Sequence, residues 1–317
     1  MKKILSFLLV LTVVLSMAGC GAATSGKGGG TVGVTLYARD QFISNLEQAI
    51  LAAASKQTDY TVDSQEANND TQKQAEQIRT FATKGYKSII VNLVDTSTAE
   101  TMMAEAKDTP IIFINRRPSD DLLKENKYAY VGSQEYDAGK MQAEFLADFF
   151  KDKADKSLNV VLFMGQLGLE NTNERTRSAK EELEKAGFKL NMVFEDTAEW
   201  DRAKAMDKMQ TIIGTGKSFD CVICNNDEMA LGVIEAMKAA SMDLKKIPVV
   251  GIDATDMACE SVKAGEMAAT VFQNAAAQGA LAMEYAIKAA KGEKFDKFGW
   301  VPFEPVTAEN VDNYMKK

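Results

Sequence analysis

Histidine is absent from the 317 residues. That removes the usual general base, the usual proton shuttle and the commonest metal ligand together, so serine triads and His-ligated zinc sites are excluded. Cysteine is scarce, with four in the chain, and only Cys221 and Cys224 lie close in sequence. On a strand, residues three apart face opposite sides with Cα atoms about 10 Å apart, too far for a disulfide. No second CxxC completes a zinc site, so these thiols are expected in the core, with Cys259 a further core or surface thiol. Basic charge is short as well: 37 Lys and Arg stand against 45 Asp and Glu, a net charge of −8. Without a basic patch carrying interleaved aromatics, nucleic acid is excluded as a partner. No apolar run reaches the length of about 20 residues that a transmembrane helix needs. Residues 152–157 lack the Gly and alternating oxygen ligands of a calcium loop and read as a solvated turn. No cofactor and no metal is expected.

What is present is ordinary for a globular chain, 46% hydrophobic and 26% charged. The length exceeds what a single core supports, which predicts two domains. Met1-Lys2-Lys3 is a basic start, residues 4–15 are apolar, and Met17-Ala18-Gly19-Cys20 is a small-residue cleavage site. Residues 1–19 therefore read as a bacterial lipoprotein signal, with Cys20 as the diacylated first residue. Residues 20–30 form a Gly-rich tether. The folded part is expected outside the cytoplasm, anchored to the cell membrane through that lipid.

From residue 31 one unit repeats: an apolar strand, a polar or aromatic elbow, then a helix. Residues 220–232 show it most clearly, where Asp220-Cys-Val-Ile-Cys224 stops at Asn225-Asn226-Asp227 and helical spacing begins. Strands at 31–36, 61–64, 88–91 and 110–114 alternate with helices in a first lobe. Asn115-Arg116-Arg117-Pro118 reads as a crossing. Strands at 128–131, 159–164, 192–195, 221–224, 249–252 and 269–272 follow in a second lobe, and 275–291 and 300–303 as return crossings. The predicted fold is α/β, two Rossmann-like lobes with parallel sheets, one of residues 31–115 and 274–299, the other of 116–273 and 300–317.

Open parallel sheets bind ligands beyond the carboxyl ends of their strands, so the elbow residues are the candidate contacts. They are Asp40, Phe42, Asn92, Asn171, Arg175, Trp200, Asn226, Asp253 and Gln273. Planar polar groups each reach two neighbouring hydroxyls, and aromatic faces suit the C–H faces of a pyranose, so the set describes a sugar site. Taken singly, each Asp or Asn is better explained as a helix cap, and it is the pattern across seven elbows that favours the functional reading. Gly165-Gln166-Leu167-Gly168 lacks the third Gly and the Lys of a phosphate loop.

Asp40-Gln-Phe42, Asn92-Leu-Val-Asp95, Asp196-Thr-Ala-Glu-Trp200-Asp201, Asn225-Asn226-Asp227 and Gly251-Ile-Asp253-Ala254 together resemble segments of the periplasmic galactose/glucose-binding proteins, within the type I periplasmic binding proteins of ABC sugar uptake. The resemblance runs from Val32 nearly to the end. It implies two lobes joined by a three-stranded hinge that close over a sugar, with Phe42 and Trp200 sandwiching the ring. Asp40, Asn92, Arg175, Asn226 and Asp253 would bond its hydroxyls. Three positions depart from the glucose and galactose binders: Leu169 stands where they have His, Asn171 for Asp, and Gln273 for Asn. Leu169 favours a ligand less polar near the exocyclic carbon, such as xylose or a deoxysugar; alternatively, Asn92 and a water serve the same hydroxyl.

The expected function is delivery of a galactose- or glucose-like pyranose to an ABC permease by a monomeric lipoprotein. The alternative is a ligand-sensing lipoprotein presenting a sugar or furanosyl signal to a chemoreceptor or sensor kinase. A regulator of the same fold would need a DNA-binding helix-turn-helix before the first strand, where the lipobox and tether stand. No catalytic residue is expected: Asp40 and Asp253 could pair as glycosidase carboxylates, but both fall where the resemblance implies plain hydrogen bonding.

Overall fold

Short, wholly apolar segments separated by amphipathic ones can bury both faces of a strand only beneath helices on each side. The computed structural model describes residues 29–315. The chain begins β1 (Gly30–Leu36), α1 (Gln41–Ser55), β2 (Tyr60–Glu66), α2 (Thr71–Thr83), β3 (Ser88–Val91), α3 (Ala99–Ala106), β4 (Ile111–Ile114), β5 (Tyr128–Gly132). It continues α4 (Glu135–Phe149), β6 (Ser157–Met164), α5 (Glu170–Lys185), β7 (Lys189–Thr197), α6 (Arg202–Gly214), β8 (Cys221–Cys224), α7 (Asp227–Ala239), β9 (Val249–Val250), α8 (Asp256–Lys263), β10 (Ala269–Gln273). Last come α9 (Ala275–Lys291), β11 (Phe298–Trp300) and β12 (Phe303–Thr307). The first sheet has the order β11-β5-β4-β3-β1-β2, all parallel; the second, β12-β10-β9-β8-β6-β7, is parallel except for β12.

Strand alternation sorts each core into two layers. Ile90 packs with Leu46 and Ile50 of α1 and Met283 of α9, while its neighbours Ile89 and Val91 pack with Ile78 of α2 and Met102 of α3. In β8, Cys224 lies with Met209 and Met229, and Cys221 on the other face with Leu146 and Leu183. Cys221, Cys224 and Cys259 are all buried and unbridged. Burial pushes the Cys221 and Cys224 thiols well above their ordinary pKa, which keeps them inert.

Two sequence expectations are corrected by the topology. The strand at 128–131, read as opening the second lobe, is β5 of the first sheet, with Ile111 to Ile114 beside Tyr128 to Val131 in parallel register. The first crossing therefore follows Gly132, at 133–134. It does not occur at Asn115–Pro118, where Asn115 N still donates to Val131 O at 3.0 Å. The Pro after two charged residues marks only a loop between neighbouring strands. The chain crosses again between β10 and α9, and between β11 and β12. These three passages touch: Gln278 Nε2 donates to Ser133 Oγ at 3.0 Å, and Val301 N donates to Gly132 O at 2.8 Å. Cys20 and the signal segment lie outside the described residues. Among those described, no helix is long and apolar enough to cross a membrane.

Candidate functional site

Every elbow that faces the cleft ends a parallel strand, and the two lobes bring these ends together. A cavity between them is lined by Tyr37, Asp40, Phe42, Ile43, Asn115 and Arg116 from the first lobe. Asn171, Arg175, Trp200, Asn226, Asp253 and Gln273 line it from the second.

In the first lobe, Asp40 caps α1, its Oδ1 accepting from Ile43 N at 2.8 Å while its Oδ2 accepts from the Tyr37 hydroxyl. Burial, reinforced by Asp40, holds that hydroxyl protonated. The Arg116 guanidinium stacks 3.4 Å from the centre of the Tyr37 ring. Its Nη1 donates to Leu93 O and Val94 O at 3.0 and 2.8 Å, and its Nη2 reaches Gln166 Oε1 of the second lobe at 3.3 Å.

Arg175 is the hub of the second lobe. Its Nε donates to Glu135 Oε2 at 2.6 Å, its Nη1 to Asn225 O at 2.8 Å and its Nη2 to Gln273 Oε1 at 3.1 Å. Asn226 caps α7 by accepting from Met229 N at 3.0 Å, and Asn171 Oδ1 accepts from Thr172 N at 2.9 Å. Trp200 and Asp253 sit on left-handed backbone, φ 68° and 125°, which costs strain in a residue that is not glycine. Two constraints hold them. Gly165 leaves room for the indole, since a Cβ there would lie 2.0 Å from Trp200 Cζ2. Asp227, wholly buried, grips the turn after Asp253, its Oδ2 accepting from Thr255 N at 2.8 Å and its Oδ1 from Thr270 Oγ1 at 2.6 Å. Two donors on residues of the cavity wall, Trp200 Nε1 and Gln273 Nε2, have no protein partner. A hydroxyl-rich guest meets these needs.

Of the ten residues expected at a ligand, eight line the cavity and Asn92 and Leu169 do not. Asn92 is fully buried behind it, its Nδ2 donating to Ile114 O and Asn115 Oδ1 at 3.1 and 3.2 Å and its Oδ1 accepting from Tyr37 N at 3.4 Å. Leu169 is buried just before α5 and is not part of the wall, so it makes no contact there with an exocyclic carbon. Sequence reasoning missed Tyr37, Ile43, Asn115 and Arg116. Tyr37 and Ile43 flank Asp40 in an elbow already singled out, and Asn115 and Arg116 follow a buried strand in the same way but had been assigned to a crossing.

Comparison with known proteins agrees with this geometry. A family model described as periplasmic binding protein domain matches residues 32–294. A putative rhizopine-binding protein of Rhizobium meliloti is 37% identical over 80% of this chain and 82% of its own length. The D-galactose/methyl-galactoside binding periplasmic protein MglB of Haemophilus influenzae is 30% identical over 96% and 98%. Among solved structures, an ABC transporter solute binding protein from Bacillus halodurans with bound myo-inositol is 34% identical. It superposes with a TM-score of 0.82, covering 92% of this chain and 99% of that one.

Proposed function

Because the chain belongs to the periplasmic binding protein family, as the extracytoplasmic and non-enzymatic solute-binding protein of a sugar ABC transporter, we propose that its ligand is one six-membered polyhydroxylated ring. A pyranose of the galactose or glucose type is the first candidate. The observation that carries this reading is the cavity wall: one aromatic ring from each lobe, Phe42 and Trp200, among carboxylates, amides and guanidinium groups, with Trp200 Nε1 and Gln273 Nε2 left without a protein partner. Aromatic faces take the apolar faces of such a ring, and planar polar groups take its equatorial hydroxyls.

A second reading is a cyclitol, favoured by the myo-inositol in the structure at 34% identity. A cyclitol has the same disc of hydroxyls and no exocyclic carbon. In either case a ligand touching both lobes favours the closed form by its differential affinity. Attachment to the membrane through acylated Cys20 completes the proposal; a Cys20→Ser change releases the protein from membranes if the thiol carries the anchor, and leaves it bound if not.

The deciding experiment is a thermal-shift series with D-galactose, D-glucose, D-xylose and myo-inositol. At a hundred times its Kd a ligand adds about 2.7 kcal/mol, raising Tm by roughly 5–10 °C. A shift with galactose or glucose supports the pyranose reading, and a shift with myo-inositol alone supports the cyclitol. A shift with xylose alone replaces the hexose by a pentose, and no shift with any of the four overturns the proposal.

A further inference from the structure

Two buried carboxylates stand within reach of one guanidinium at the back of the cavity. Glu135 Oε2 accepts from Arg175 Nε at 2.6 Å, whereas Asp253 Oδ1 lies 4.0 Å from Arg175 Nη1, beyond hydrogen-bond distance. Asp253 is 6% exposed. Among the described residues nothing donates a hydrogen bond to its carboxylate, although Asp253 lines the cavity and Glu135 does not. Burial first, with Asp227, Asp40 and Glu135 adding repulsion, pushes the Asp253 carboxyl well above the usual range, and Arg175 only partly opposes this. A buried carboxylate and guanidinium so close would ordinarily join in a direct, charge-assisted pair.

The structure holds them apart from both sides. Glu135 is the first residue of α4, directly after the first crossing, and its Oε1 has no partner, so its hydrogen bonding is committed to Arg175. Asn225 O and Gln273 Oε1 fix the other arms of the guanidinium. On the opposite side Asp253 is held at φ 125°, with Asp227 gripping the turn that follows.

We propose that Glu135 is a positioning residue for ligand binding: by occupying Arg175 it keeps Asp253 from a direct hydrogen bond with the guanidinium, and Asp253 is thereby left free to accept from ring hydroxyls. The inference rests on the reading of the cavity as a site for a hydroxylated ring. Glu135 itself lies outside the cavity wall; it acts by denying Asp253 a hydrogen bond from Arg175.

The test is the unliganded crystal structure of Glu135→Gln, joined to calorimetric titration of D-galactose and myo-inositol into the full-length wild type, E135Q, D253N, E135Q/D253N and E135D. In E135Q, Arg175 closes on Asp253 to about 2.7–2.9 Å. The Kd rises by roughly 10- to 100-fold, as for loss of a charged hydrogen bond, and E135D recovers part of the loss. In the D253N background, E135Q costs less than about threefold, because the competitor is gone. A structure with Arg175 and Asp253 still 4 Å apart overturns the proposal, as does an equal E135Q loss with and without D253N. If the wild type binds neither probe, the ring reading fails, while the unliganded structure still decides the Arg175 competition. Should E135Q not fold, a wild-type structure with either probe decides instead: Asp253 must accept from ring hydroxyls while Arg175 stays on Glu135.

Discussion

Asp40 and Asn226 each turn one side-chain oxygen toward a helix N–H and still line the cavity. A cap uses one lone pair and leaves further lone pairs on the same group, so the two duties that compete as explanations of a residue coexist in one side chain. Asp227 has the opposite character, with both oxygens used inside the protein. Replacing it by Asn leaves one acceptor oxygen for two donors, Thr255 N–H and the Thr270 hydroxyl, at about 1–3 kcal/mol. A melting point lower by roughly 2–10 °C is expected, together with weaker ligand binding because the Asp253 turn loosens; calorimetry on the folded variant measures the second effect. Residue type and elbow position were enough to identify most of the wall. They could not distinguish Asn92 from Asn115, since both follow buried strands and only packing decides which amide faces the cleft.

Among the elements, the link from β6 to α5 matters more than its weak phosphate-loop likeness suggested. Gly165 is needed there as a surface against which the indole lies. Gly165→Ala is expected to displace Trp200 and weaken ligand binding by about tenfold or more, with overpacking costing about 1–3 kcal/mol of stability; titration together with a thermal melt separates the two. Gly279 plays a comparable part between helices, where a Cβ would approach Ala49 Cβ to 2.6 Å, so α9 returns closely against α1. The strand and helix positions were legible because fully buried strands leave uninterrupted apolar runs, as in residues 111–114 and 221–224. Lobe membership was not. The link from β4 to β5 and the link from β5 to α4 look alike as loops, and only sheet pairing separates a neighbour from a crossing.

For the whole molecule, closure creates contacts that neither lobe has alone. Arg117 of the first lobe donates to Glu170 Oε1 of the second at 2.6 Å, and burial followed by the nearby Glu135 pushes the Glu170 carboxyl up to about 7. A carboxyl held above its ordinary value of 4.5 binds its proton more tightly in the folded protein than in the unfolded chain. Its contribution to stability is therefore full below about pH 4.5 and is lost as pH rises through about 7. Glu170→Gln should flatten that part of the dependence of Tm on pH; an unchanged profile in E170Q assigns the dependence to another group. The triple passage between lobes also governs the order in which the molecule can be completed. The first sheet needs β11 and the first helical layer needs α9, both made after the whole stretch from α4 to β10. A ribosome that has finished residues 1–132 has made only part of a lobe. The domain that starts first must wait for the second to be synthesised, and it stays incomplete until the last fifth of the chain emerges.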